Sequence, residues 1–192
     1  MTDRTVRRNA AATRNAILEA ARVAFTRHGF DQVGVREITH AAGVNPSLVN
    51  RYFGTKEQMF AEVMQVGLGF DGFGDGSQAQ MTRWLTDYVL DKTVDRDAFD
   101  PMLSLIRSAA VAQAQPVLRD YLAREAIEPL AKVMGGEAAS DRASFIVAFL
   151  IGVIIMRSVI KCDSMIATGR NDIAEMFDQI LALTASPSMT AA

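Results

Sequence analysis

Six side chains able to bind a polyanion or read a base edge fall within residues 45–56: Asn45, Ser47, Asn50, Arg51, Tyr52 and Lys56. If residues 46–53 form a short helix, Val49 and Phe53 lie four apart on one face and make its better buried side. Asn45, Ser47, Asn50, Arg51 and Tyr52 then stay partly or wholly exposed. Where the start of such a helix enters a major groove, amides read an adenine edge and hydroxyls serve base or phosphate. Leu48 offers its methyls to a thymine methyl. Lys56 stands in the first turn of the following helix, where the dipole disfavours a cation and a nearby phosphate would reverse that penalty.

Other chemistry finds little support. His28, His40 and Cys162 lack metal-ligand spacing. The lone cysteine has no histidine placed to activate it. GLGFDG at 67–72 matches G-x-G-x-x-G, yet a helix precedes it where a strand is required. The loop beginning at Asp71 has Phe73 and Thr82 where calcium ligation needs carboxylate-type groups. No catalytic residue, cofactor or metal is expected, and the chain does not read as an enzyme.

The elements that position the polar set are helical. Val35 and Ile38 give a short helix an apolar face over 35–42, with Ala41 and Ala42 small enough for a close crossing. Gly43 can turn the chain sharply through positive φ, and Val44 can bury in the angle. Asn45 caps the next helix and Pro46 suits its first position. Two short helices joined by a glycine turn form a helix-turn-helix. Upstream, Ile17, Ala21 and Phe25 predict a helix over about 14–28, ended by a left-handed Gly29. Downstream, Thr55 and Gln58 fit a capping box.

Beyond residue 66 five glycines fall within 67–80, a flexible joint or an interrupted helix end. The 3.6 period then resumes at Met81, Trp84, Leu85, Tyr88 and Val89, and again at Phe99, Met102, Leu103 and Ile106. Leu118, Tyr121 and Leu122 continue it, and Ile173, Met176, Phe177, Ile180 and Leu181 close it. Asp100-Pro101 is a helix start, Asn171 caps the last helix, and the tail from Ser186 frays.

Charge divides the chain. Residues 1–56 carry nine basic against four acidic side chains, whereas the whole chain has a net charge of −2. A basic head on an acidic body points to a polyanion for the head alone. At 49% hydrophobic and 22% charged, the 192 residues suit a globular protein. The longest apolar run, residues 145–156, falls short of the roughly 18–20 residues of a membrane-spanning helix. With one cysteine and a charged N-terminus, no membrane partner and a cytoplasmic location are expected.

Residues 14–64 resemble the N-terminal DNA-binding domain of the TetR family of transcriptional regulators. The likeness rests on Gly29-Phe30, REI at 36–38, AAGV at 41–44, the Tyr52-Phe53 pair and Lys56-Glu57. It implies an all-α chain: a three-helix, helix-turn-helix DNA-binding domain with its arm at 1–56, and a larger helical ligand-binding and dimerisation domain at 57–192. It further implies a ligand-responsive repressor that binds a pseudo-palindromic double-stranded operator as a homodimer. Arg36 would reach a base or phosphate; Asn45, Pro46, Ser47 and Leu48 would lie along the groove; Tyr52 and Lys56 would meet the backbone. Asn50 stands where many members have tyrosine, and Gly34-Val35 where many have threonine.

The remainder is similar to the C-terminal domain of an actinobacterial-type subgroup. Helices near 141–160 and 172–184 would then pair two subunits. An unidentified small-molecule effector would bind among Trp84, Tyr88, Phe99, Met102, Leu103, Ile106, Phe145 and Phe149, although such types at helical spacing are more often plain core.

Overall fold

A computed structural model describes residues 2–69, 76–90 and 99–185. All regular structure among them is helical. The glycine-rich joint lies outside the described residues at 70–75, as does the tail from Ser186. Helices group into two compact units by packing rather than by chain order.

The first unit begins with α1 (Thr2–Gln32), which starts well before the expected residue 14. Ala10, Ala11 and Ala12 are strong helix formers, but with no apolar stripe the early turns carry no periodic signal. Ile17, Ala21 and Phe25 are fully buried, as their spacing requires. Phe25, Phe30 and Phe60 form an aromatic trio with centroids 4.9–6.1 Å apart. Then follow α2 (Val35–Ala41), α3 (Ser47–Phe53) and α4 (Lys56–Val63).

Two later helices join this unit: α6 (Pro101–Ser108) and α7 (Gln115–Leu122). Asp100 caps α6 by accepting from the backbone N–H groups of Met102 and Leu103 at 2.9 and 3.1 Å, ahead of a proline with φ already set. The α1–α6 seam is polar and tight. Thr26, Ser104 and Ser108 are buried along it. The Thr26 and Ser104 hydroxyls are 3.2 Å apart, and the Phe30 N–H donates to Ser108 Oγ at 2.8 Å. Arg107 donates to the Thr26 carbonyl oxygen. Gly29 makes the approach possible, and its conformation differs from the expected left-handed cap. At φ 72° and ψ −178° it occupies a region essentially reserved for glycine.

The second unit contains α5 (Gln78–Leu90), α8 (Glu128–Met134), α9 (Ala139–Ile154), α10 (Asp163–Ala167) and α11 (Arg170–Ala185). π-helical turns at Ala123–Ile127 and Ile155–Val159 precede α8 and extend α9. The extended α9 reaches 21 residues, long and apolar enough to cross a membrane by length and composition. It is longer than its apolar run because Asp141, Arg142 and Arg157 lie within the helical span. One face of α9 is buried through Ala143, Ile146, Val147 and Leu150.

Asp178 ties α11 to α5, accepting from Gln78 Nε2 at 2.8 Å and Thr82 Oγ1 at 3.3 Å. Arg170 pairs with Asp87. Because α11 starts at Arg170, Asn171 sits inside its first turn and does not cap it.

A methyl added at Gly29 would stand 2.6 Å from the Arg107 carbonyl oxygen, whereas one at Gly43 would meet nothing within 4 Å. Both glycines have positive φ. Gly29→Ala should therefore destabilise the protein by about 2–3 kcal/mol through strain plus overlap, and Gly43→Ala by only ~1 kcal/mol. Urea unfolding of the two variants checks the difference. Equal losses would mean that the α1–α6 approach imposes no constraint at Gly29.

Candidate nucleic-acid interface

The polar residues singled out in the sequence come together on one side of α3 and at the start of α4. Val49 is fully buried and Phe53 is 7% exposed, and they hold the helix by that face. The opposite edge presents Ser47, Asn50 and Arg51 to solvent, with Leu48 and Tyr52 half-buried beside them. Arg36 is exposed on α2, and the turn residues Asn45 and Pro46 are exposed just before α3. Gly43 takes φ 66° at the turn, and Val44 is half-buried within it.

The start of α3 departs slightly from expectation. Pro46 already has helical angles (φ −54°, ψ −30°) and stands at the cap position, so the helix proper begins at Ser47. Capping still falls to Asn45, whose Oδ1 accepts from the Ser47 N–H at 2.9 Å and from Ser47 Oγ at 2.8 Å. A backbone N–H can only donate, so the amide oxygen must face it and Nδ2 must face away. Asn45 therefore presents a donor outward while its acceptor is committed. The bidentate pairing of an amide with adenine needs both groups, and of the two asparagines only Asn50 retains it without giving up a cap.

Thr55 and Gln58 form the expected capping box at α4: Thr55 N–H donates to Gln58 Oε1 at 2.9 Å, and Gln58 N–H donates to Thr55 Oγ1 at 3.2 Å. Lys56 follows, its ammonium 4.4 Å from the Phe30 ring centroid. Partial burial lowers its pKa, against the opposing pull of Asp31 and Glu57. Glu57 is pulled below the usual carboxylate range, chiefly by the Thr55 hydroxyl. The lysine thus has an aromatic partner within the protein, which local spacing did not reveal. Tyr52 stands edge-on to Phe53 at 6.5 Å, and the Arg51 guanidinium lies 5.9 Å from the Tyr52 ring.

Arg14 is one of the nine basic residues of 1–56. In the fold its guanidinium nitrogen lies 2.5 and 2.6 Å from the two carboxylate oxygens of Glu62, over the Phe53 ring at 4.8 Å. The partners are 48 and 39 positions away in sequence, so no helical spacing pointed to them.

The residues expected around an effector belong to both units. Met102 and Leu103 are buried in the first unit, and Ile106 is half-buried there. Half-buried Phe99 lies near the Arg22 guanidinium, 5.5 Å from ring centroid to Cζ. Trp84 and Tyr88 stack at 4.8 Å within the second unit. A groove of about 790 Å³ lies in that unit, walled by α9, α10 and α11. Of the expected set only Phe149 lines it, edge-on to Phe177 at 5.6 Å. Met156, Met165 and Met176 supply much of the remaining wall. Phe145 is 59% exposed and outside the groove.

A family model described as bacterial regulatory proteins, tetR family, matches residues 17–63. A second, described as tetracyclin repressor-like, C-terminal domain, matches residues 80–182. Among solved structures, a TetR-family regulator from Streptomyces coelicolor A3 is 25% identical with a TM-score of 0.53, covering 92% of this chain and 96% of that one. NalD, the secondary repressor of the MexAB-OprM multidrug efflux pump in Pseudomonas aeruginosa, shares the fold at 18% identity and a TM-score of 0.64, with 92% and 97% covered. The fatty acid degradation regulator FadR from Bacillus halodurans does so at 15% and 0.63, with 92% and 96% covered. Comparison with curated proteins finds no match.

The Asn45 cap has a direct consequence for stability. Asn45→Ala should cost ~1 kcal/mol, and Asn45→Asp, which still accepts from the Ser47 N–H, should cost a few tenths. Thermal melts of both variants check this. Equal losses would show that the amide oxygen is not the capping group.

Proposed function

The chain belongs to the TetR family of bacterial regulatory proteins, which are DNA-binding transcription regulators, and from that premise we propose a ligand-responsive repressor that binds a pseudo-palindromic operator as a homodimer. One observation carries the reading: α3 is anchored by Val49 and Phe53 with its polar edge turned to solvent. Residues 1–56 form the reading head, and residues 57–192 carry dimerisation and ligand response. The protein acts in the cytoplasm, by binding rather than catalysis.

In the head, Ser47, Leu48 and Asn50 contact base edges, with Asn45 donating from Nδ2 and Pro46 against the groove wall. Arg36, Arg51, Tyr52 and Lys56 meet phosphates or, for Arg36, a base. Two heads bind half-sites about one helical turn apart, roughly 34–36 Å.

Dimerisation uses α9 and α11. Phe145, Met176 and Leu183 are 59%, 48% and 71% exposed on these two helices, an apolar surface of the kind a subunit interface covers. An effector in the apolar second unit shifts the spacing of the heads. A coupling of about 1–3 kcal/mol corresponds to a 5–150-fold loss of operator affinity.

Direct titration with duplex DNA tests the head. Contact with roughly 6–10 phosphates per dimer should lower affinity ~10³–10⁵-fold between 50 and 200 mM salt. Arg36→Ala and Tyr52→Ala should each weaken binding in protein that circular dichroism shows to be folded. Salt-independent binding, or full binding by both variants, would place the DNA contacts elsewhere. Sedimentation equilibrium tests the body: Phe145→Glu at an exposed position should leave the fold intact and shift the protein towards monomer. The α9–α11 interface fails if this variant stays dimeric.

A further inference from the structure

A surface ion pair between partly exposed side chains stabilises a fold by only about 0–1 kcal/mol. The Arg14–Glu62 pair is of that exposed kind, with 36% and 23% of the side chains accessible. Its placement is less ordinary. Arg14 is on α1, Glu62 on α4, and the ring under the guanidinium belongs to Phe53, the last residue of α3. One planar cation carried on α1 therefore meets both α3 and α4.

The contacts continue outward. Phe53 meets Tyr52 edge-on, with an interplanar angle of 73°, and Arg51 lies near the far ring. From Glu62 through Arg14, Phe53 and Tyr52 to Arg51, an ion pair, two rings and a second cation follow one another from α4 to the exposed edge of α3. A guanidinium suits the second place in this series, because its plane stacks on a ring while its edge bonds a carboxylate.

We propose that Arg14 is a positioning residue for DNA recognition: it sets the pose of Tyr52 and Arg51 through Phe53 and makes no phosphate contact of its own. Its charge is used within the protein, against the Glu62 carboxylate. Recognition needs the contact residues held to within about half an ångström, and a seven-residue helix has little internal means of holding them. The inference rests on the DNA-binding reading above, and its test keeps the two apart.

The probe is the duplex that the wild-type protein itself enriches most from a randomised library. Arg14→Gln removes the charge, and Arg14→Lys keeps it but loses the planar face; circular dichroism verifies that each is folded under assay conditions. Both should bind the duplex about three- to tenfold more weakly, the scale of a cation–π contact with its associated hydrogen bonds. The slope of log affinity against log salt should stay at the wild-type value. In a Tyr52→Ala background the same substitutions should cause no further loss, since neighbours acting as a unit are non-additive.

A slope smaller by about 0.9 for each phosphate lost would make Arg14 a direct backbone contact and overturn the proposal. So would a loss carried undiminished into the Tyr52→Ala background, or wild-type affinity in both variants. If the wild-type protein enriches no sequence, the DNA-binding reading fails and takes the inference with it. If it enriches one and the Arg14 variants bind as wild type does, the inference alone fails.

Discussion

A helix of seven residues is too short to persist in water, because nucleating the first turn costs more than so few hydrogen bonds return. α3 therefore exists only while Val49 and Phe53 are buried, each side chain contributing about 1.5–3 kcal/mol when removed from water. The same two positions decide what the helix displays. With one face fixed inward at a spacing of four, the outward edge must contain Ser47, Asn50 and Arg51. The stability of α3 and the edge it displays are two consequences of one constraint, and a polar residue at 49 would forfeit both.

That constraint extends to the rest of the first unit. α1 supplies Ile17, Ala21 and Phe25 to the core, and α6 braces its far end through a seam of small polar side chains. Such a seam holds two backbones closer than leucines would, on condition that every buried hydroxyl finds a partner. Thr26, Ser104 and Ser108 meet it by bonding one another and nearby main-chain groups. Gly29 supplies the remaining condition, a residue with no side chain where the Arg107 backbone passes. α6, distant in sequence from α3, thus belongs by packing to the same compact unit.

What was legible in the sequence was local. The glycine turn at 43, the Val49–Phe53 face, the Thr55–Gln58 box and the Asp100 cap each depend on residues within a few positions, and each appears as spacing predicts. What was illegible was long-range or without amphipathic signal. The early turns of α1 have no stripe, and the polar seam joins residues 78 apart. Arg14 and Glu62 are 48 apart. The groove beside α9 draws its methionines from three helices, so it shares only Phe149 with the aromatic positions that periodicity singled out. Asn171 failed as a cap because Arg170, which pairs with Asp87, already lies in helix.

Formal charge overstates what the head can offer to a polyanion. Of its basic residues, Arg14 is held by Glu62, Arg22 by Glu19 at 2.5 Å, and Lys56 sits over Phe30 with its charged form disfavoured by partial burial. A cation already neutralised by a carboxylate releases no counterion when it approaches DNA, so it adds nothing to the salt-dependent part of affinity. Lys56 differs, because a ring neutralises no charge and a phosphate at the start of α4 would restore the form that burial disfavours. Arg36 and Arg51 are exposed on the same unit, and Lys56 is half-buried. A small excess of positive charge can therefore serve a DNA-binding head, provided the fold decides which cations are spent on structure and which face outward.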